Sequence, residues 1–171
     1  MKPTVILDIN GVLLKKFYNS EDKSYMASIP HTCRKIDRFT YFIRDDVESF
    51  LHELFSKYDI AIYSSSTKPT VVTCLKLVMT KEQQQRLLFI LDRRFTLSDP
   101  EGPEAHSTIK SLEYVCISQG LQLNQVIIID DDACKVRTIS DKNKIVLKSD
   151  QITESNFYDF ILERLEEQLS R

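Results

Sequence analysis

Val5-Ile6-Leu7-Asp8-Ile9-Asn10-Gly11-Val12 is the stretch from which the fold is read. Three apolar residues, two of them β-branched, run directly into an acid and then a glycine. This is the pattern of a short buried strand that stops at a working turn. In open α/β sheets ligands bind just beyond the carboxyl ends of the strands, so Asp8 is placed where a ligand would be met. Gly11 lets the backbone turn tightly beside it. A second run of the same kind lies far downstream: Val126-Ile127-Ile128-Ile129 ends in Asp130-Asp131-Asp132. Two apolar strands that each end in carboxylates suggest a shared site for a divalent cation.

Outward from these two strands, the periodicities alternate. A strand over Asp59–Ser64 ends in a run of hydroxyls, Ser64-Ser65-Ser66-Thr67. A last short strand covers Lys144–Leu147. Between them, a helix begins at Asp45 or Asp46, either of which can cap it, with Val47, Phe50, Leu51, Leu54 and Phe55 on one face. A second starts at Thr67 with Pro69 in its first turn, burying Val71, Val72, Leu75, Val78 and Met79. Lys81–Leu88 reads as a short helix, Phe89–Leu97 as extended chain, Ser98–Pro103 as a loop and Ser107–Gln119 as a helix closed by Gly120. Glu154–Leu169 is amphipathic, with Phe157, Phe160, Ile161, Leu165 and Leu169 inward. Residues 15–43 do not fit the alternation and read as a small insertion of loops and short strands, Phe39–Ile43 among them. The expected fold is therefore α/β, a parallel sheet with helices on both faces, in a single domain over 1–171.

Composition bounds the function. The chain has 171 residues, a formal charge of −2 and 42% apolar residues, which is ordinary for a globular domain. That charge offers no bulk attraction to nucleic acid or to an anionic membrane. No apolar run reaches the length of a membrane span, and the N-terminus lacks a signal-peptide pattern. Cys33, Cys74, Cys116 and Cys134 are widely spaced, with no zinc-type pair. They are expected to be reduced thiols in an intracellular protein of the cytoplasm or nucleus. The basic cluster Arg34, Lys35 and Arg38, with Tyr41, reads as plain surface. Asp99 and His106 read as soluble loop residues rather than an acid–base pair.

Asp8-Ile9-Asn10-Gly11-Val12 resembles the first motif of the haloacid-dehalogenase (HAD) superfamily, Asp-x-Asp in its phosphatases. Ser64, after Ile60-Ala61-Ile62-Tyr63, is similar to the second motif, Lys110 to the third and Asp130-Asp131 to the fourth. Flanks such as Phe42-Ile43-Arg44 and Phe50-Leu51 look closest to the small C-terminal-domain phosphatases and NIF-like (FCP/SCP) proteins. The resemblance implies a Rossmann-like HAD fold, capless or with a small insertion after the first strand. It implies a magnesium ion held by Asp8, Asp130 and Asp131 with a backbone carbonyl near Asn10, nucleophilic attack by Asp8, and phosphate binding by Ser64, Ser65 and Lys110. The intervals between motifs leave no room for a large cap, so the expected substrate is a phosphorylated protein or peptide. A nucleic-acid end phosphatase and a catalytically dead phospho-binding protein are the alternatives. Asn10 departs from the family pattern, because an amide neither gives nor takes a proton near neutral pH. Either this is a slow or inactive natural relative, or the Asn replaces the Asp of an active enzyme.

Overall fold

The computed structural model describes residues 2–19, 29–102, 107–148 and 151–170. Strand β1 (Thr4–Leu7) lies at the centre of a five-stranded, all-parallel sheet. β5 (Asp59–Tyr63) flanks it on one side and β9 (Val126–Asp130) on the other. β6 (Ile90–Leu91) and β10 (Lys144–Val146) form the edges, giving the order β10-β9-β1-β5-β6. Strands buried on both faces explain why β1, β5 and β9 are runs of apolar residues rather than alternations.

The pleat divides those residues between two cores. Val5, Leu7, Ile60, Ile62, Ile127 and Ile129 face one side, where α1 (Val47–Lys57), α2 (Lys68–Val78) and α5 (Phe157–Leu169) pack. Ile6, Ala61, Tyr63, Val126 and Ile128 face the other, covered by α4 (Leu112–Gln119). The chain thus has the parallel sheet with helices on both faces expected from its sequence.

Between β1 and α1 stands a three-stranded antiparallel sheet: β2 (Lys15–Tyr18), β3 (His31–Ile36) and β4 (Phe39–Arg44), in the order β2-β4-β3. Phe17, Tyr41, Phe42 and Ile43 of this insertion join the larger core. Arg34, Lys35 and Arg38 are exposed on its outer hairpin.

Several local expectations are corrected. Asp46 is the N-cap residue of α1, but its side chain makes no cap bond, because Arg44 donates to both its oxygens at 2.8 and 2.6 Å. Val72 is 42% exposed rather than inward. The helix after Thr80, α3, covers only Lys81–Gln85, started by a reciprocal Thr80–Gln83 capping box. The stretch after β6 contains a 3-10 turn at Arg93–Phe95 before the short β7 (Leu97–Ser98). Ser107–Ser111 is not helical: β8 (Thr108–Ile109) pairs with β7, and α4 begins only after Ser111, whose hydroxyl accepts the Tyr114 N–H at 3.2 Å. Gly120 ends α4 at φ +67°, as expected. In α5 the inward position not foreseen is Tyr158, stacked on Phe50 with ring centroids 4.1 Å apart; Phe160 and Leu169 are only partly buried.

Leu7 is fully buried in the central strand, so Leu7→Ala is expected to cost about 2–5 kcal/mol in a denaturant titration. Val72→Ala should change stability by less than about 0.5 kcal/mol.

Candidate functional site

The register of the sheet aligns the site. Leu7 pairs with Ile62 on one side and with Ile129 on the other, and the Asp8 N–H donates to the Ile129 carbonyl at 2.9 Å. Asp8 and Asp130 therefore leave adjacent strands at the same level, with Tyr63 level with them on the far side. All three follow residues facing the larger core, so their side chains share the α4 side of the sheet. Ser64 comes one residue later, at the same end.

Lys110 arrives from that side. The β7–β8 pairing holds the chain extended up to Ile109, and the Lys110 N–H donates to the Lys135 carbonyl at 2.8 Å. Its ammonium then donates to Asp8 Oδ1 at 3.0 Å and to Asp130 Oδ2 at 2.5 Å. The Lys110 side chain is 0% exposed, as is that of Asp130, and that of Asp8 is 4% exposed. The ring of Tyr63 lies beneath the ammonium, with its centroid 5.4 Å away. Burial pulls the Lys110 pKa down, but the charges of Asp8 and Asp130 outweigh it and hold the ammonium protonated well above the ordinary range. Burial raises the carboxyl of Asp130, and Lys110 opposes that rise.

Asp131 completes the cluster. One carboxylate oxygen from each of Asp8, Asp130 and Asp131 lies within 4.8 Å of the others. Three hard oxygen donors at this spacing suit a small divalent cation such as magnesium. Asp131 also packs directly over Gly11, which has φ +84°; a Cβ there would lie 2.0 Å from Asp131 Oδ2. The carboxyl of Asp131 is raised first by burial and next by Asp8, with Lys15 opposing.

The remaining residues named from the sequence lie around this centre. Asn10 sits in the turn after β1, where its Oδ1 accepts the Lys16 N–H at 2.8 Å. Ser64 is 1% exposed, and its Oγ accepts the Ser66 N–H at 3.2 Å. Ser65 Oγ is buried without a hydrogen-bond partner among the described residues. A phosphoryl oxygen is the kind of acceptor such a hydroxyl lacks. Asp132 accepts the Cys134 N–H and closes the acidic turn.

Three features were not read from the sequence. Lys15 pairs with Asp131 at 3.3 Å. Lys135 stands close enough that Asp8, Asp130 and Asp132 hold its ammonium above the ordinary range against the opposing effect of burial. Asp99, expected to be a solvated loop residue, is buried and receives both terminal nitrogens of Arg137 at 2.5 Å. That fork ties the loop before Lys110 to the segment after Asp130. His106 lies outside the described residues. No local pattern marks the Lys15–Asp131 and Arg137–Asp99 pairs, since each joins segments distant in sequence, whereas Lys135 lies three residues after Asp132 and 3.3 Å from its carboxylate.

Removing Lys110 would leave two buried carboxylates without their cation. Lys110→Met is expected to destabilise the fold by about 3–5 kcal/mol, read by thermal and chemical unfolding.

The fold has counterparts among solved structures. Fission yeast RNA polymerase II CTD phosphatase Fcp1, as a variant bound to beryllium fluoride, aligns with 99% of this chain at 14% identity and a TM-score of 0.55. A second structure, of Fcp1 described as an essential RNA polymerase II CTD phosphatase, aligns over the same share at 16% identity and a TM-score of 0.55. This chain spans 50% of the length of each, and at such identity the likeness is one of fold. No curated protein sequence matches at a significant level. No helix among the described residues is long and apolar enough to cross a membrane. The model of the NLI interacting factor-like phosphatases matches residues 3–170, nearly the whole chain, and the chain belongs to that family, within the HAD superfamily.

Proposed function

We propose that the chain is built as a magnesium-dependent phosphomonoester hydrolase for phosphorylated proteins, with Asp8 as nucleophile, and that Asn10 makes this form slow or inactive. The chief support is the Asp8–Lys110–Asp130 bridge at the carboxyl ends of two adjacent strands, in a chain of a phosphatase family.

Asp8 attacks phosphorus through a carboxylate oxygen. The P–O bond to the leaving group breaks, and an aspartyl-phosphate remains on Asp8. Water then attacks that phosphorus, the bond to Asp8 breaks, and inorganic phosphate leaves with Asp8 restored. Lys110 orients the Asp8 carboxylate and offsets negative charge, while the hydroxyls of Ser64 and Ser65 donate to phosphoryl oxygens. Magnesium, held by Asp8, Asp130 and Asp131 beside Asn10, would lower the repulsion between carboxylate and phosphate dianion.

The weak point is proton transfer. The leaving oxygen must gain a proton, and an amide at position 10 has none to give near neutral pH. It must draw one from solvent. Carboxylate and amide are nearly isosteric, and a carboxylate oxygen at this position could accept the same Lys16 N–H. Asn10→Asp is therefore expected to leave stability nearly unchanged. It should raise kcat toward p-nitrophenyl phosphate with magnesium by about 10²- to 10⁴-fold. Asp8→Asn in that background, or removal of magnesium with EDTA, should abolish the gain. A folded Asn10→Asp protein that stays inert would overturn the hydrolase reading. It would favour the second reading, for which Asn10 itself speaks: a phosphate-recognising binding protein that does not turn over.

Among the described residues, the insertion after β1 is a small three-stranded sheet, which supports access for a phosphate carried on a large molecule. The Asn10→Asp enzyme should show higher kcat/KM on phosphoserine, phosphothreonine or phosphotyrosine peptides than on sugar phosphates. Oligonucleotides with 3′- or 5′-terminal phosphates test the nucleic-acid alternative, which the charge of −2 disfavours. A preference for sugar phosphates would rule out the open-site argument.

A further inference from the structure

Lys15 has no part in the chemistry assigned above, yet its ammonium reaches back into the acid cluster. Nζ lies 3.3 Å from Asp131 Oδ2, and the two side chains are 16% and 9% exposed. Asp131 is held in place from below, because it rests on the bare backbone of Gly11, where a side chain would overlap it. Lys15 begins β2 and is fixed there by its pairing with Phe42 of β4, so the insertion sheet determines where its stem starts.

Among the described residues, three carboxylates, Asp8, Asp130 and Asp131, are thus met by two direct ammonium partners, Lys110 and Lys15. The two are not equivalent. Lys110 is sealed in, bridges two acids and has no path to water. Lys15 makes one longer contact at the partly exposed edge, on a flexible four-carbon stem that can swing into solvent at modest cost. Of the two, only Lys15 can leave.

We propose that Lys15 is a built-in counter-cation for the divalent-ion position. It holds the Asp131 carboxylate in the ion-free protein, gives it up when an ion binds, and thereby sets how tightly the ion is held. This rests on the reading of Asp8, Asp130 and Asp131 as the ion's ligands. An incoming ion must break the Lys15–Asp131 pair and approach against the positive charge that remains nearby, and both effects weaken binding.

The test is calorimetric titration with Mn²⁺, and separately Mg²⁺, together with thermal melts with and without the ion. The proteins are the unaltered chain, Lys15→Met, Lys15→Arg and Asp131→Asn. Lys15→Met is expected to bind Mn²⁺ about tenfold more tightly, to melt lower than the unaltered chain without ion, and to gain more from its addition. Lys15→Arg keeps the charge and should keep the original affinity, whereas Asp131→Asn should weaken binding. If Lys15→Met binds equally or more weakly while Asp131→Asn still loses affinity, the role of Lys15 is overturned and the ion site stands. If no folded form binds either ion, Lys15→Met included, the ion site itself falls and the inference falls with it.

Discussion

Lys110 supplies the positive charge that allows Asp8 and Asp130 to sit side by side out of water. Without it, two carboxylates at one level of adjacent strands would repel one another in a nearly solvent-free space. With it, the acids stay paired and correctly aimed, and the ends of β1 and β9 can remain in register. The surrounding architecture serves this bridge. The β7–β8 pairing extends the chain up to Ile109, the Lys135 carbonyl catches the Lys110 N–H, and the Arg137–Asp99 fork closes the loop from behind.

Legibility from the sequence followed how local each signal is. The end of β1 and the end of β9 could be read because an apolar run that stops at an acid is a contiguous pattern, and the sheet then brings Asp8 and Asp130 together. Lys110 could be named only through the resemblance to a family. Its own surroundings suggested a lysine on a helix surface, whereas the residue follows the short β8 and its side chain is buried against Asp8, Asp130 and the Tyr63 ring. β3 was invisible because most of His31–Ile36 is exposed and no alternation marks it. Lys15, Arg137 and Asp99 were missed for a related reason: their partners are fixed by tertiary register, which no window of sequence contains. Asp46 failed as a capping side chain because the neighbouring Arg44 claims both its oxygens.

On the proposed reading, Asn10 meets one of two demands that fall on its position. The turn after β1 needs an oxygen to receive the Lys16 N–H, and amide and carboxylate serve equally well. In the hydrolase proposed above, the leaving oxygen also needs a proton, and of the two groups only the acid has one to give. On that reading a chain can keep this scaffold while turnover depends on a single atom, nitrogen or oxygen.

The placement of β1 has a consequence for how the molecule is made. One flank of this central strand bonds to β5, some fifty residues on, but the other must wait for β9, some one hundred and twenty residues on. During synthesis the first strand of this sheet therefore carries an open, apolar edge until β9 has followed. Such late, long-range closure slows folding and exposes a pairing edge to other chains. The Lys110 bridge cannot close before β9 has been made, since it requires the first strand and the ninth to be already side by side.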